Sequence, residues 1–135
     1  MAKILVVDDS EAACSLLSDL VISCGHKPLS ARNGFDGLKL LRRNKDCALA
    51  FIDIHMPQMD GLNMIKEIVI NEKGYYPDIP LVVVTIEDKS EPREMAKLSG
   101  VKTWCVKPIV PEQIKSIINQ LVVADTVVDE EKRHT

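Results

Sequence analysis

Apolar and polar positions along this chain alternate between two rhythms. Lys3 to Val7 is a compact, β-branched run closed by Asp8 and Asp9, the pattern of a strand covered on both faces. From Ser10 the rhythm changes: Ala13, Leu16, Leu17, Leu20, Val21 and Cys24 recur at three- and four-residue steps. That spacing predicts a helix with one apolar face, Ser10 as its cap and Gly25 as its left-handed stop. His26 to Ala31 reads as a second, weaker strand, after which Asn33-Gly34 opens a helix that turns Leu38 and Leu41 inward, with Leu40 beside them and Arg42-Arg43 near its end. Gly37 lies inside that helix at a cost of about 1 kcal/mol relative to alanine, so close packing against a sheet is expected there. The run Ala48 to Ile52 predicts a third strand and stops abruptly at a single acid, Asp53.

A Pro-bearing polar loop follows Asp53 and leads to Asp60, a candidate cap for a helix that buries Leu62, Ile65, Ile68 and Val69. Asn71 to Pro80 holds Gly74, Tyr75-Tyr76, Pro77 and Pro80, the composition of a surface loop. Leu81 to Val84 is the most strand-like run of the chain and ends in Thr85; Glu91 to Leu98 predicts a short polar helix with Gly100 after it. Thr103 to Val106 forms a fifth strand that runs into Lys107-Pro108, and Pro111 starts a helix aligning Ile114, Ile117, Ile118, Leu121 and Val122. Strands alternating with helices imply an α/β fold with a five-stranded parallel sheet, doubly wound by helices on both faces through right-handed crossovers.

Composition narrows the function more than the fold. With 135 residues the chain fits one domain, and a net charge of -3 carries no nucleic-acid signature, so no direct nucleic-acid partner is expected. No apolar run approaches the length of a membrane span and Met-Ala-Lys is no signal peptide, which predicts a cytoplasmic protein without membrane insertion. Cys14, Cys24, Cys47 and Cys105 form no CxxC pair and read as reduced structural thiols. Residues 1–124 form the expected domain; Asp125 to Thr135, charged apart from Val127-Val128, reads as a flexible tail.

A lone Asp after a strand often does no more than start a turn. In an open parallel sheet, however, ligands bind beyond the carboxyl ends of the strands, and this chain sends Asp8, Asp9, Asp53, Thr85 and Lys107 to that edge. Three crowded carboxylates repel and raise one another's pKa unless a cation compensates. Oxygen-only ligands without an imidazole or thiol cluster favour a hard ion, and Mg²⁺ suits a site with few carboxylates that is completed by phosphate. A carboxylate can attack phosphorus, leaving a metal, a lysine and a hydroxyl to stabilise the transferring group; Asp53, Lys107 and Thr85 fit those roles.

The runs Ile4-Leu5-Val6-Val7-Asp8-Asp9 and Asp53-Ile54-His55-Met56-Pro57-Gln58-Met59-Asp60-Gly61, with Thr85 and Lys107-Pro108, occur in order. In these the chain resembles the receiver domain of two-component response regulators, of the single-domain CheY-like kind, across residues 3 to about 122. The resemblance implies a flavodoxin-like (βα)5 fold with strand order 2-1-3-4-5. It implies that Asp53 accepts phosphate from a sensor histidine kinase or phosphotransfer protein, in a phosphorelay of two-component signal transduction. Asp8, Asp9, Asp53 and the backbone carbonyl of His55 would hold Mg²⁺, and Thr85 and Lys107 would contact the phosphoryl oxygens. The Lys107-Pro108 bond would be cis. Trp104 matches the switch aromatic that turns inward with the Thr85 hydroxyl, against the plainer role of a partly buried indole. Glu91 to Leu98, Trp104 and the last helix would then face an unknown downstream protein partner. Such a protein is no enzyme beyond catalysing its own phosphorylation and dephosphorylation.

Ile86 stands where receivers usually carry a small residue and would narrow access to the phosphoryl site; His55 and Glu87 occupy positions that tune how fast water removes phosphate. The alternative is a degenerate receiver acting as a constitutive interaction module. A phosphatase of the haloacid-dehalogenase type wants an acid two residues after the nucleophile, where His55 stands, and a flavin-binding protein wants a hydroxyl-rich phosphate loop after the first strand.

Overall fold

In the computed structural model the described residues are 1–70 and 75–134, with side chains described as far as Val122. Five strands alternate with five helices: β1 (Lys3–Val7), α1 (Glu11–Ser23), β2 (Lys27–Ala31), α2 (Gly34–Arg43), β3 (Cys47–Ile52), α3 (Gly61–Ile70), β4 (Leu81–Thr85), α4 (Ser90–Leu98), β5 (Thr103–Val106) and α5 (Pro111–His134). The strands pair in parallel in the order β2-β1-β3-β4-β5. This is the flavodoxin-like arrangement that the resemblance implied.

Why the central strands are largely apolar follows from the two layers they serve. Successive strand side chains point to opposite faces. Ile4, Val6, Leu49, Phe51, Val82 and Val84 therefore meet α1 and α5, through Leu17, Leu20, Val21, Ile114 and Ile118. Their alternates, Leu5, Val7, Ala50, Ile52, Leu81 and Val83, meet α2 and α3, through Leu38, Leu41, Met64, Ile65 and Ile68. Both faces of β1, β3 and β4 are dry, whereas Lys27 and Ser30 lie exposed on the edge strand β2.

The helix starts follow the expected capping. The Ser10 hydroxyl accepts from Ala13 N at 3.2 Å, Asn33 Oδ1 from Asp36 N at 2.9 Å and Asp60 Oδ1 from Asn63 N at 2.8 Å. Gly25 takes the left-handed φ of +86° that ends α1. Gly37 is packed as expected: a Cβ there would lie 2.7 Å from Met64 Cε and 2.9 Å from Val7 Cγ2.

Two helix faces are corrected. Leu16 is 39% exposed, and α1 instead buries Ala13, Cys14, Leu17, Leu20 and Val21. Val69 is 50% exposed and Leu62 only partly covered, because α3 turns Gly61, Met64, Ile65 and Ile68 inward. The inward stripe of α3 begins with a glycine, which carries no hydrophobic signal. The first part of the expected surface loop, residues 71–74, lies outside the described residues, as does the side-chain character of the expected tail 125–135 and hence the boundary at 124.

Candidate functional site: an acidic nest at the strand ends

The sheet order reverses between β1 and β3, and a crevice opens where chains wind away in opposite directions. Asp8 follows β1 and Asp53 follows β3, so the two carboxylates flank that crevice; Asp9 sits beside them. One oxygen from each of the three comes within 4.8 Å of the others. Asp8 and Asp53 are buried, at 1% and 5% exposure, whereas Asp9 is open to solvent.

Lys107, following β5, reaches across to both buried acids. Its Nζ lies 2.8 Å from Asp8 Oδ2 and donates to Asp53 Oδ2 at 3.3 Å. The peptide bond to Pro108 is cis. Burial pushes the Asp8 carboxyl above the ordinary carboxylate range, and the neighbouring Asp53 charge adds to it, more than Lys107 and the Ser10 N–H pull it down. Burial also opposes the charge on Lys107, but its bond to Asp8 and the charges of Asp53 and Asp8 outweigh that and raise its pKa. Both partners therefore hold protons more tightly than usual. The acids are short of positive charge even with the lysine in place.

Remaining valences point the same way. Asp8 Oδ1 accepts from Ser10 N at 2.9 Å and Asp53 Oδ1 from His55 N at 3.2 Å. Asp8 Oδ2 is buried against the Lys107 ammonium, 2.8 Å away. A cluster of three carboxylates that share a single ammonium offers oxygen donors to a hard divalent cation.

Thr85 closes β4 fully buried, tied to Lys107 by the Lys107 N–H bond to its carbonyl at 2.7 Å. Its hydroxyl oxygen accepts from Glu87 N at 3.3 Å. His55 and Glu87, singled out separately in the sequence, meet: Nε2 and Oε1 are 3.5 Å apart. Trp104, on β5, is half-buried, donates its indole N–H to the Glu87 carbonyl at 2.9 Å and lies under the Arg93 guanidinium, 6.0 Å from the ring centroid. Ile86 is 71% exposed, so its branched chain is at the surface and not packed into the nest.

Two residues named in the sequence, Gly61 in the run from Asp53 and Cys14 among the structural thiols, support the nest in ways the sequence reading did not assign. Gly61 allows α3 to back directly onto the peptide of Asp53: a Cβ there would sit 2.1 Å from the Asp53 carbonyl oxygen. The Asp60-Gly61 pair at a helix start was its only signal. Cys14 reaches the Asp8 carbonyl, Sγ to oxygen 3.1 Å. Its place one turn after the capping Ser10 hints at that reach.

The family model for the response regulator receiver domain matches residues 4–119. The chain belongs to that family. Among curated relatives, the receiver is 31% identical over 121 residues to the chemotaxis protein CheY homolog of Campylobacter jejuni, covering 89% of this chain and 92% of that one. It is 30% identical over 122 residues to protein PilH of Pseudomonas aeruginosa, covering 90% and 98%. The solved structure of the chemotaxis response regulator CheY4 of Vibrio cholerae is similar with a TM-score of 0.80 at 26% identity, over 90% of this receiver and 98% of that chain. The receiver is thus CheY-like in sequence and in fold. Among the described residues no helix is long and apolar enough to cross a membrane.

Proposed function

We propose that this receiver is a stand-alone response regulator of the cytoplasm, and that Asp53 accepts a phosphoryl group from a sensor histidine kinase or phosphotransfer protein. The observation that carries this reading is the nest itself: three carboxylate oxygens within 4.8 Å of one another, with Lys107 bridging the two buried acids. A site without phosphoryl chemistry has no use for so costly a charge cluster.

In the forward step an Asp53 carboxylate oxygen attacks phosphorus, the P–N bond of a donor phosphohistidine breaks, and the imidazole leaves with the bonding pair. Mg²⁺, held by Asp8, Asp9, Asp53 and the His55 carbonyl, would supply positive charge against the phosphoryl oxygens when bound. Lys107 offers its ammonium to the same oxygens, exchanging its bond to Asp53 for one to phosphate. Thr85 turns its hydroxyl from the Glu87 N–H to donate to another. In the hydrolytic step that ends the signal, water attacks phosphorus, the bond between phosphorus and the Asp53 oxygen breaks, and the carboxylate and inorganic phosphate are released; the paired His55 and Glu87 would orient or crowd that water.

Release of the Thr85 hydroxyl frees the loop that carries Glu87, and with it the bond to Trp104. The face around Trp104 and α4 then changes shape for a downstream protein. The exposure of Ile86 takes away the feature that favoured a constitutive interaction module.

Incubating the protein with Mg²⁺ and a small acyl phosphate or phosphoramidate tests the reading. Intact-mass analysis is expected to find one added phosphoryl group, lost on chelation and in Asp53→Ala. Labelling that persists in Asp53→Ala, or without a divalent ion, overturns it.

A further inference from the structure

Asp8 is the most deeply buried acid of the nest, and its side chain is held by little: one backbone N–H on Oδ1 and the Lys107 ion pair on Oδ2. Where its carboxylate points is therefore governed by how its peptide is fixed. On the amino side, Asp8 N donates to the Ala31 carbonyl of β2 at 3.1 Å. On the carboxyl side the chain leaves the sheet for the Ser10 cap, and the Asp8 carbonyl faces the first turn of α1.

There Cys14 stands. Its Sγ lies 3.1 Å from the Asp8 carbonyl oxygen and 3.7 Å from that of Ala31. Cys14 is itself 3% exposed, and Cys14 N donates to the Ser10 carbonyl at 3.0 Å, so the thiol is carried by a rigid first turn. A buried carbonyl left without a donor is costly, and a peptide that loses its donor rotates to find another. Cys14 is a free thiol, in no disulfide, so its S–H is there to donate.

We propose that Cys14 is a positioning residue of the acidic nest: its thiol clamps the Asp8 peptide between β1 and β2 and so aims the Asp8 carboxylate at the divalent cation. The inference rests on the metal reading under the proposed function. It adds that affinity for the ion depends on a hydrogen-bond donor at position 14, outside the set of ligands. Supporting contacts of this kind are worth about 10- to 100-fold in metal affinity, and a thiol, being a weak donor, belongs at the lower end.

Cys105 provides the matched comparison. It is equally buried, at 3%, and packs in the same hydrophobic layer as Cys14. Mg²⁺ titration by calorimetry, with thermal melting of each metal-free protein, separates packing from positioning. Cys14→Ala is expected to weaken Mg²⁺ binding by about tenfold. Cys105→Ala should melt lower while binding as the wild type does, and Cys14→Ser, which keeps a donor, should restore affinity. If Cys14→Ala does not fold, Cys14→Val, which fills the space without a donor, must show the same loss. Equal affinities for wild type and Cys14→Ala (or Cys14→Val), or no recovery in Cys14→Ser, overturn the assignment alone. A wild-type protein that takes up no Mg²⁺ overturns the metal reading, and this inference with it.

Discussion

Replacing Gly61 by alanine adds a single methyl group where α3 leans on Asp53, the proposed phospho-acceptor. Its Cβ would fall 2.1 Å from the Asp53 carbonyl oxygen, 2.8 Å from the Asp53 carbonyl carbon and 2.8 Å from Ile54 Cα. All three are backbone atoms, so no side chain can swing aside. The helix and the strand end must part by about 1 Å to relieve the contact. Two effects oppose each other. Alanine favours the helical conformation by about 1 kcal/mol over glycine, while overpacking a close backbone approach costs about 1–3 kcal/mol or more. The overlap is with backbone, so the second wins, and the melting temperature should fall by about 4 °C for each net kcal/mol lost. The rate of Mg²⁺-dependent labelling should fall further than stability does, because a shift of about 1 Å at a reacting group costs up to about 10²-fold. Gly34→Ala is the milder comparison: its Cβ would meet Met59 Cγ at 2.9 Å and Sδ at 3.0 Å, a side chain able to yield, and one backbone atom, the Met59 carbonyl oxygen, at 3.0 Å and not 2.1 Å. Thermal melts and initial labelling rates of the two variants decide the matter. A Gly61→Ala protein that melts higher than the wild type and labels at the same rate refutes the argument.

The two burial faces of α1 give a second expectation: Leu17→Ala, at 1% exposure, should cost about 2–5 kcal/mol in urea unfolding, and Leu16→Ala, at 39%, less than about 1 kcal/mol. His26 gives a pH expectation. Its Nδ1 accepts from Ala2 N at 3.1 Å, and burial first, then the amino-terminal charge, lower its pKa in the fold. The unfolded chain therefore takes up the proton first, so the contribution to stability is present above the free-histidine pKa of about 6.5 and is lost as pH falls through it toward the lower folded value. Urea midpoints between pH about 7 and 5 should fall in the wild type and flatten in His26→Ala; an unchanged slope would count against it.

β1, β3 and β4 were readable because they are largely apolar on both sides, and β1, β3 and β5 end at residues that cannot continue them: Asp8, Asp53 and Lys107 mark the change as sharply as any turn; β2, Lys-Pro-Leu-Ser-Ala at the sheet edge, was correspondingly weak. The nest was readable for the same reason, since a parallel sheet converts three strand ends into one place. What escaped was whatever depended on rotation or distance. The inward stripe of α3 runs through Gly61 and Met64, and with a glycine as its first member the leucine at 62 looked like the start. The meeting of His55 with Glu87 joins residues on separate elements, and no spacing along the chain encodes a distance between them.

Because one sheet separates two dry layers, the molecule has two interiors with little traffic between them. Alterations to the α1 and α5 side and to the α2 and α3 side should sum in free energy when their residues do not touch. One layer can then be altered without disturbing the packing of the other, and the strand ends between them stay as they are.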